Sequence, residues 1–289
     1  MFVDPLFSHY RRMKGRTIEG KGDMGITRDA IAELTYLAPE SGPPVYYSSK
    51  PGEPERSEGV HAPVRVEIRD ARTLDRPPAL DREGFSLIRH NTRDVDFESA
   101  DDIKSGYYPQ IASLLKAQLG ADEIVVFDHN IRYDAVLPGK RRPARLVHVD
   151  YTTRSAVNRA VELTRDEAIT KRIQRRFMQV NVWRPLHYAV ATSPLAMADA
   201  LSVSDKDYVR ADIIYPERKG EILEVTHDPS HKWFFYPDMV PEEMLLFKGF
   251  DSDPSIASCR TPHTAFDDPM TPSDAKPRHS VELRAMAFF

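Results

Sequence analysis

Val64-Arg65-Val66-Glu67-Ile68-Arg69 alternates apolar and charged side chains without interruption. A period of two along the chain is typical of a β-strand that has one buried and one solvated face. Short apolar runs recur between residues 84 and 289, and turns rich in Pro, Asp and Ser separate them. Many short strands at such spacing predict an antiparallel sandwich or barrel, so we expect a mainly β protein.

Two stretches show helical features instead and predict helices that flank the sheets. The first begins near Pro109 and stops at Gly120, and its apolar residues at i, i+3, i+4 and i+8 are Ile111, Leu114, Leu115 and Leu119. The second follows Thr164-Arg165-Asp166-Glu167, which has the form of a capping box, and we expect a basic helix over residues 168–178. Residues 123–132 and 144–150 are predicted to be strands that form a hairpin or lie beside each other in one sheet.

Proline marks a division along the chain. Residues 38–63 contain six prolines with Ser, Gly and Glu between them, which is typical of a long loop. We therefore expect residues 1–63 to be an N-terminal segment and Pro-rich loop, packed on the core or extending from it. Residues 64–289 then form a single catalytic domain.

Composition limits the classes of function. The 289 residues carry 40 Lys and Arg against 44 Asp and Glu, a net charge of −4, which argues against a nucleic-acid partner. The single cysteine, Cys259, leaves no disulfide framework and no multi-cysteine metal site, so a metal must bind to His and carboxylates. No apolar run reaches the roughly 18 residues of a membrane span, and residues 1–25 lack the features of a targeting peptide. We expect a cytoplasmic protein with no membrane partner.

His148-Val149-Asp150 is the strongest metal-ligand candidate. Residues two apart on a strand point to one face, so the imidazole and the carboxylate converge while Val147 and Val149 pack on the other face. Two histidines and one carboxylate form the facial triad of non-haem Fe(II) oxygenases, which leaves coordination positions open. A second histidine must therefore come from elsewhere in the chain.

His263 is the preferred third ligand, because an Arg-x-Ser pair, Arg278 and Ser280, follows it in sequence. A guanidinium with a hydroxyl beside it can bind the distal carboxylate of 2-oxoglutarate through paired hydrogen bonds. Arg284 shares the predicted strand face. The gap of 15 residues between His263 and Arg278 leaves open which arginine is the main anchor.

Two weaker candidates are set aside. His227 and His231 could supply a rival ligand, but Pro229 interrupts the helix that would align them, so we expect them in surface loops. Residues 20–25 match the G-x-G-x-x-G pattern of dinucleotide-binding proteins. No strand precedes them and no clear helix follows, so a nucleotide role is rejected.

In combination these motifs resemble the AsaB/CmcJ-like hydroxylase/desaturase family of Fe(II)/2-oxoglutarate-dependent oxygenases, whose members modify secondary metabolites. The resemblance extends over roughly residues 85–289. Beyond the His-x-Asp and Arg-x-Ser motifs, the matching stretches are Asn181-Val182-Trp183-Arg184-Pro185-Leu186, Pro194-Leu195-Ala196, residues 233–239, residues 247–252 and His263-Thr264-Ala265-Phe266.

The resemblance implies a double-stranded β-helix, or cupin-like jelly roll, with Fe(II) held by His148, Asp150 and His263. The residues implied to bind 2-oxoglutarate or to line its pocket are Arg278, assisted by Ser280 or Arg284, and Asn181, Trp183 and Arg184. The implied reaction uses O₂ and 2-oxoglutarate to hydroxylate or desaturate a small organic metabolite, with release of succinate and CO₂.

Two other functions stay open at this point. A cupin-like metal-dependent isomerase or hydrolase would use the same three ligands without 2-oxoglutarate. A non-catalytic jelly-roll helper protein would keep the fold without turnover, since a fold alone does not establish activity. Arg278 and Arg284 favour the oxygenase over the hydrolase, because a hydrolase needs no buried anchor for a dicarboxylate. A homodimer is also compatible with the sequence.

Overall fold

The computed structural model describes residues 27–47, 56–90, 92, 95–138, 140–164 and 173–289. Within these ranges the strands are β1 (Ala30–Leu37), β2 (Val45–Tyr47), β3 (Arg56–Ser57), β4 (His61–Asp70), β5 (Phe85–Arg89), β6 (Glu123–Tyr133), β7 (His148–Val149), β8 (Phe177–Pro185), β9 (Leu195–Ala198), β10 (Tyr208–Ile214), β11 (Lys219–Val225), β12 (Trp233–Phe235), β13 (Glu243–Asp251), β14 (His263–Ala265) and β15 (His279–Phe288). The α-helices are α1 (Ala100–Asp102), α2 (Tyr108–Leu119) and α3 (Thr153–Leu163). Shorter helical turns lie at Ile103–Tyr107, Ala71–Thr73, Ala200–Ser202 and Asp205–Asp207.

The strands form two sheets with a shared apolar core. One has ten strands in the order β1-β4-β12-β9-β14-β7-β11-β10-β2-β3, and the other has five in the order β5-β13-β8-β15-β6. Met197 and Phe234 of the larger sheet pack against Trp183 and Phe247 of the smaller sheet. This mainly β jelly roll confirms the predicted fold class.

The helix predicted after Pro109 is α2, and it covers the outer face of the five-stranded sheet. Its buried Ile111 and Leu115 pack against a cluster that includes Val182 and Leu283. Gly120 ends the helix with φ of 66°, a left-handed conformation that glycine adopts without a Cβ penalty. Because α2 seals one face of this sheet, the opposite face is left for the interior of the sandwich.

The N-terminal part of the chain contributes strands to the larger sheet, where the sequence predicts only a segment and a loop. β1 pairs antiparallel with β4 from Ala30 opposite Ile68 to Leu37 opposite His61. Alternate residues of β1 are buried, a period-two signal that the prolines of the following stretch obscure. The predicted division after residue 63 therefore falls inside β4.

The predicted hairpin of residues 123–132 and 144–150 is wrong. β6 lies at one edge of the five-stranded sheet and pairs with β15. β7 lies in the ten-stranded sheet between β14 and β11, and it covers only His148 and Val149. Burial of Val147 and Val149 explains the apolar alternation that suggested a longer strand.

Most of the predicted capping box and basic helix cannot be compared with the structure. Thr164 is the C-cap of α3. Residues 165–172, which would start the predicted basic helix, lie outside the described residues, and Phe177 and Met178 already belong to β8. The G-x-G-x-x-G match at residues 20–25 likewise lies outside them. None of the helices that the structure describes is long and apolar enough to cross a bilayer.

Candidate metal centre

The three predicted ligands meet on two neighbouring strands of the larger sheet. β7 carries His148, Asp150 follows it directly, and β14 carries His263 opposite His148. One ligand atom from each residue lies within 4.8 Å of the others, and the two imidazole ring centroids are 4.4 Å apart. Residues that face each other across an antiparallel pair share a face of the sheet, which explains why side chains 115 positions apart converge.

Backbone carbonyls fix the orientation of both imidazoles. His148 Nδ1 donates to the Leu146 carbonyl at 2.7 Å, and His263 Nδ1 donates to the Thr261 carbonyl at 3.1 Å. A carbonyl only accepts, so the proton of each neutral ring resides on Nδ1. Nε2 of each ring then carries the lone pair, as a metal ligand requires.

The charge states of the group also suit a divalent cation. Burial, together with the neighbouring His148, lowers the pKa of His263 to about 3, so this imidazole is neutral. Burial alone would raise the pKa of Asp150, but Arg284 and the two histidines outweigh it and hold that pKa well below the ordinary range. The site therefore presents a neutral imidazole at His263 and an ionised carboxylate at Asp150.

Three polar side chains of the smaller sheet hold the Asp150 carboxylate. Asn181 Nδ2 donates to Asp150 Oδ2 at 2.6 Å, and Gln179 Nε2 donates in turn to Asn181 Oδ1 at 2.6 Å. Arg284 Nη2 lies 3.1 Å from Asp150 Oδ1. Gln179 needs the room that Gly249 provides, because a Cβ at residue 249 would overlap the Gln179 amide. These contacts set the direction in which the carboxylate points.

Arg278 lies immediately before β15 and is 2% exposed. Its Nε donates to Ser280 Oγ at 3.0 Å and its Nη1 to the Ser193 carbonyl at 2.6 Å, while its guanidinium lies over the Trp183 ring. Nη2 makes no hydrogen bond with any residue that the structure describes. Burial, followed by the charge of Arg132, lowers the pKa of Arg278 to about 9. A buried guanidinium with a donor to spare is suited to an anionic ligand.

Trp183 and Arg184, two predicted site residues, lie on opposite faces of β8. Trp183 is 1% exposed, and its indole Nε1 is buried without a hydrogen-bond partner among the described residues. Arg184, which was expected to line the pocket, lies on the opposite face of β8. It donates to Thr92 at 2.7 Å and lies over the Phe97 and Tyr107 rings. Its place follows from strand alternation, because Asn181 and Trp183 face the interior and residue 184 must face away.

The rival histidines lie in a different cluster. His231 contacts Asp207 through Nε2 at 3.2 Å and the Tyr36 hydroxyl through Nδ1 at 3.3 Å. Its side chain is 1% exposed, so the predicted surface position is wrong for this residue. His227 packs edge-on against Tyr36 and is only partly buried. Neither residue joins His148, and the preference for His263 agrees with this geometry.

A cleft of about 1070 Å³ opens onto Asp150 and Arg284. Its walls come from β6, from α3 and from the hairpin of β10 and β11. Sequence reasoning missed this cleft and also Gln179, although polar residues at every second position of an otherwise apolar strand are a signal for an interior polar face.

Comparison with known proteins agrees with the geometry. Residues 34–288 match the family model of the Oxidoreductase/YMDC permease-like domain. The alpha-ketoglutarate-dependent dioxygenase tstK of Talaromyces stipitatus is 34% identical over 239 residues, which cover 78% of this chain and 84% of that protein. The hydroxylase/desaturase CTB9 of Cercospora beticola is 30% identical over 78% of this chain and 76% of its own length.

The fold is also similar to a solved structure. The iron and alpha-ketoglutarate-dependent endoperoxidase NvfI superposes with a TM-score of 0.80 at 28% identity, and the match covers 90% of this chain and 98% of that one. This chain therefore belongs to the family of iron- and 2-oxoglutarate-dependent dioxygenases and hydroxylase/desaturases that includes these relatives.

Proposed function

We propose that His148, Asp150 and His263 are the iron ligands with which this oxygenase acts on a small organic metabolite. The observation that carries the proposal is the convergence of two imidazoles and one carboxylate within 4.8 Å. Such a donor set suits Fe(II) and leaves coordination positions for a bidentate cosubstrate and for O₂. Both imidazoles direct Nε2 away from the carbonyls that hold Nδ1, so the residues present fit the metal.

Arg278 is the proposed anchor for the distal carboxylate of 2-oxoglutarate, and Ser280 is its assistant. Arg278 is enclosed and offers Nη2, and the unpaired Trp183 indole lies beside it. Arg284 is the weaker candidate, because it contacts three carboxylates, those of Asp150, Asp128 and Glu282. We therefore propose that Arg284 positions Asp150 and that Arg278 is the main anchor.

Bound Fe(II) supplies the redox chemistry in which O₂ and 2-oxoglutarate give succinate, CO₂ and a hydroxylated or desaturated metabolite. The residues of this chain orient the participants. Asn181 and Arg284 keep the Asp150 carboxylate ionised and aimed at the ligand position. The apolar core around Phe247, whose ring centroid is 4.6 Å from that of His263, excludes water from the rear of the site.

The proposal also covers the partners and the cellular location of the protein. The substrate is a small molecule that enters through the cleft, which is large enough for one. The net charge of −4 supports a protein without a nucleic-acid partner. We also propose a cytoplasmic location and no membrane partner, which cell fractionation would test. A homodimer is proposed too, and mass measurement in solution would test it.

The test is anaerobic spectroscopy followed by turnover. The protein loaded with Fe(II) should show a weak visible charge-transfer band when 2-oxoglutarate is added, and it should release succinate when O₂ is admitted. His148→Ala, Asp150→Ala and His263→Ala should each lose the band and the metal, whereas His227→Ala, a histidine outside the triad, should keep both.

Two outcomes would contradict the proposal. Stoichiometric Fe(II) without the band would favour a metal-dependent isomerase or hydrolase that does not use 2-oxoglutarate. Full metal binding in His263→Ala would show that the third ligand is misassigned.

A further inference from the structure

The cleft in front of Asp150 carries an excess of positive charge. Four cations of its walls are neutralised locally: Arg284 by Asp150 and Asp128, Arg154 by Glu221, Arg159 by Glu162, and Lys140 by Glu98. Four more, Arg132, Arg141, Arg218 and Lys219, make no ion pair with any acidic residue that the structure describes. The remaining wall acid, Asp212, is paired with Arg210. Unpaired cations in a partly enclosed cleft attract an anion.

Two of the four unpaired cations, Arg132 and Arg141, are held in place by hydrogen bonds. The two residues are bridge partners, and the Tyr133 amide donates to the Arg141 carbonyl at 2.8 Å. Arg132 Nη1 donates to the Arg142 carbonyl at 2.8 Å, and Arg141 Nη1 donates to Asn130 Oδ1 at 2.9 Å. Each guanidinium is therefore held by one neutral acceptor and keeps its remaining donors for a ligand.

Strand register places this pair at a set distance from the metal centre. Arg132 lies opposite Ser280 on β15, and Asp128 lies opposite Arg284 on the same pair of strands. Four residues along a strand correspond to roughly 13 Å. Because Arg284 contacts Asp150, an acidic group bound at Arg132 is about one small-molecule length from the metal centre. Ile213 and Ile222 of the hairpin of β10 and β11 also line the cleft and offer apolar contact.

We propose that Arg132 and Arg141 bind the carboxylate of the substrate, which is an organic acid with an apolar body that reaches from this pair to the metal centre. The inference rests on the proposed function and adds the substrate class to it. Guanidinium pairs bind carboxylates through charge-assisted hydrogen bonds, which distinguish an acid from its neutral amide.

The test compares a matched acid and amide on the complete site. The protein is loaded with Mn(II) and N-oxalylglycine, an unreactive analogue of 2-oxoglutarate, and phenylbutyrate or phenylbutyramide is titrated in. Proton relaxation of the probe reports proximity to Mn(II), and its concentration dependence gives the affinity. The acid should bind about tenfold more tightly than the amide, as expected for about one charge-assisted contact.

Three variants decide the assignment. Arg132→Gln and Arg141→Gln should each abolish the preference for the acid and leave N-oxalylglycine binding unchanged. Arg142→Gln is the matched control from the same segment, since Arg142 does not line the cleft, and it should retain the preference.

Each contrary result has its own meaning. Equal binding of acid and amide by the natural protein, with N-oxalylglycine bound, overturns the inference alone. Loss of N-oxalylglycine binding in Arg132→Gln assigns Arg132 to the cosubstrate and also overturns it. Failure of the natural protein to bind Mn(II) with N-oxalylglycine rejects the proposed function, and the inference with it.

Discussion

Arg284 and Asp150 form a two-contact ion pair inside the candidate metal centre, with Nη2 3.1 Å from Oδ1 and Nε 3.3 Å from Oδ2. The carboxylate that is proposed to bind iron is therefore already ionised and held in one orientation. The guanidinium is itself balanced by Asp128 and Glu282. Arg284 and Arg278 therefore differ in role, because Arg278 forms no ion pair with any carboxylate that the structure describes.

Replacing Arg284 should weaken metal binding. Arg284→Gln removes the charge and the second contact to Asp150, and groups that orient a metal ligand typically contribute about 10–100-fold to metal affinity or activity. We expect a loss of that size when the metal-free protein is titrated with Mn(II) and the free ion is followed by electron paramagnetic resonance. Arg284→Lys keeps the charge without the planar guanidinium, so its Mn(II) affinity should lie between those of Arg284→Gln and the natural protein. Unchanged Mn(II) affinity in Arg284→Gln would refute the positioning role.

Replacing Arg278 should affect 2-oxoglutarate and not the metal. Each charge-assisted hydrogen bond contributes about 1.5–3 kcal/mol, so Arg278→Ala should raise the KM for 2-oxoglutarate on the order of tenfold to a thousandfold. The KM for 2-oxoglutarate of Arg278→Lys should lie between those of the natural protein and Arg278→Ala. Mn(II) affinity should stay within a few-fold of the natural protein, because Arg278 does not contact the triad.

Ser280 provides the graded comparison for the same anchor. Ser280→Ala removes the acceptor of Arg278 Nε and leaves the guanidinium in place, so its effect on the KM should be smaller than that of Arg278→Ala. A large 2-oxoglutarate defect in Arg284→Ala beside a near-normal Arg278→Ala would transfer the anchor to Arg284. If neither variant had a 2-oxoglutarate defect, the proposal of a carboxylate anchor on this strand would lose its basis.

The convergence of His148 and Asp150 was predictable because it depends on local periodicity and on residue chemistry. His148 and Asp150 are two apart on a strand, and this fixes their common face without knowledge of the fold. The position of Arg184 followed from the same rule, but the resemblance-based assignment placed it in the pocket with Asn181 and Trp183. A strict reading of the alternation along β8 would have put Arg184 outside.

Long-range pairing explains what the sequence did not reveal. β1 pairs with β4 across a stretch of prolines, and the sequence of Ala30–Leu37 does not identify the strand with which it pairs. Arg284 and Asp150 are far apart in sequence and belong to different sheets. The sequence therefore placed Arg284 on a strand face but did not show that it contacts Asp150. Similarly, the cleft is bounded by three separate elements, and single-chain patterns do not show which loops meet.

Lys248 should be important for stability and not for the site. Its side chain is 0% exposed, and Nζ lies 2.8 Å from Asp251 Oδ2 and 2.6 Å from Asp81 Oδ1. Removal of one partner of a buried ion pair typically costs ~3–5 kcal/mol. The loss of unfolding free energy in Lys248→Met should lie in the lower part of that range, because Arg176 still pairs with Asp251 at 2.7 Å.

Urea unfolding at neutral pH measures this loss. Lys206→Met is the control from an exposed ion pair with Asp228 and should leave the unfolding midpoint nearly unchanged. Equal midpoints for Lys248→Met and the natural protein would show that the buried pair contributes nothing. The KM for 2-oxoglutarate should not change in Lys248→Met, because the residue contacts neither Arg278 nor the triad.

The Glu243 carboxylate should make stability depend on pH. Glu243 is 2% exposed and receives Arg72 Nη2 at 2.6 Å and Nη1 at 2.9 Å. Burial would raise the pKa of Glu243, but Arg72, the Val240 amide and Arg89 outweigh it, so the pKa lies below its ordinary value of 4.5. A carboxyl whose pKa is lower in the folded than in the unfolded state stabilises the fold above its unfolded pKa. That contribution is lost as the pH falls through the folded pKa.

Glu243→Gln should therefore be less stable than the natural protein at pH 7, and the difference should shrink as the pH falls below about 4.5. Urea unfolding in steps from pH 7 down to acid measures both proteins, and taking their difference cancels the other carboxylates that titrate in this range. Glu217→Gln, at an exposed position, should show only a small difference in stability at pH 7. A difference for Glu243→Gln that stays constant from neutral to acid pH would mean that Arg72 does not stabilise the ionised form of Glu243.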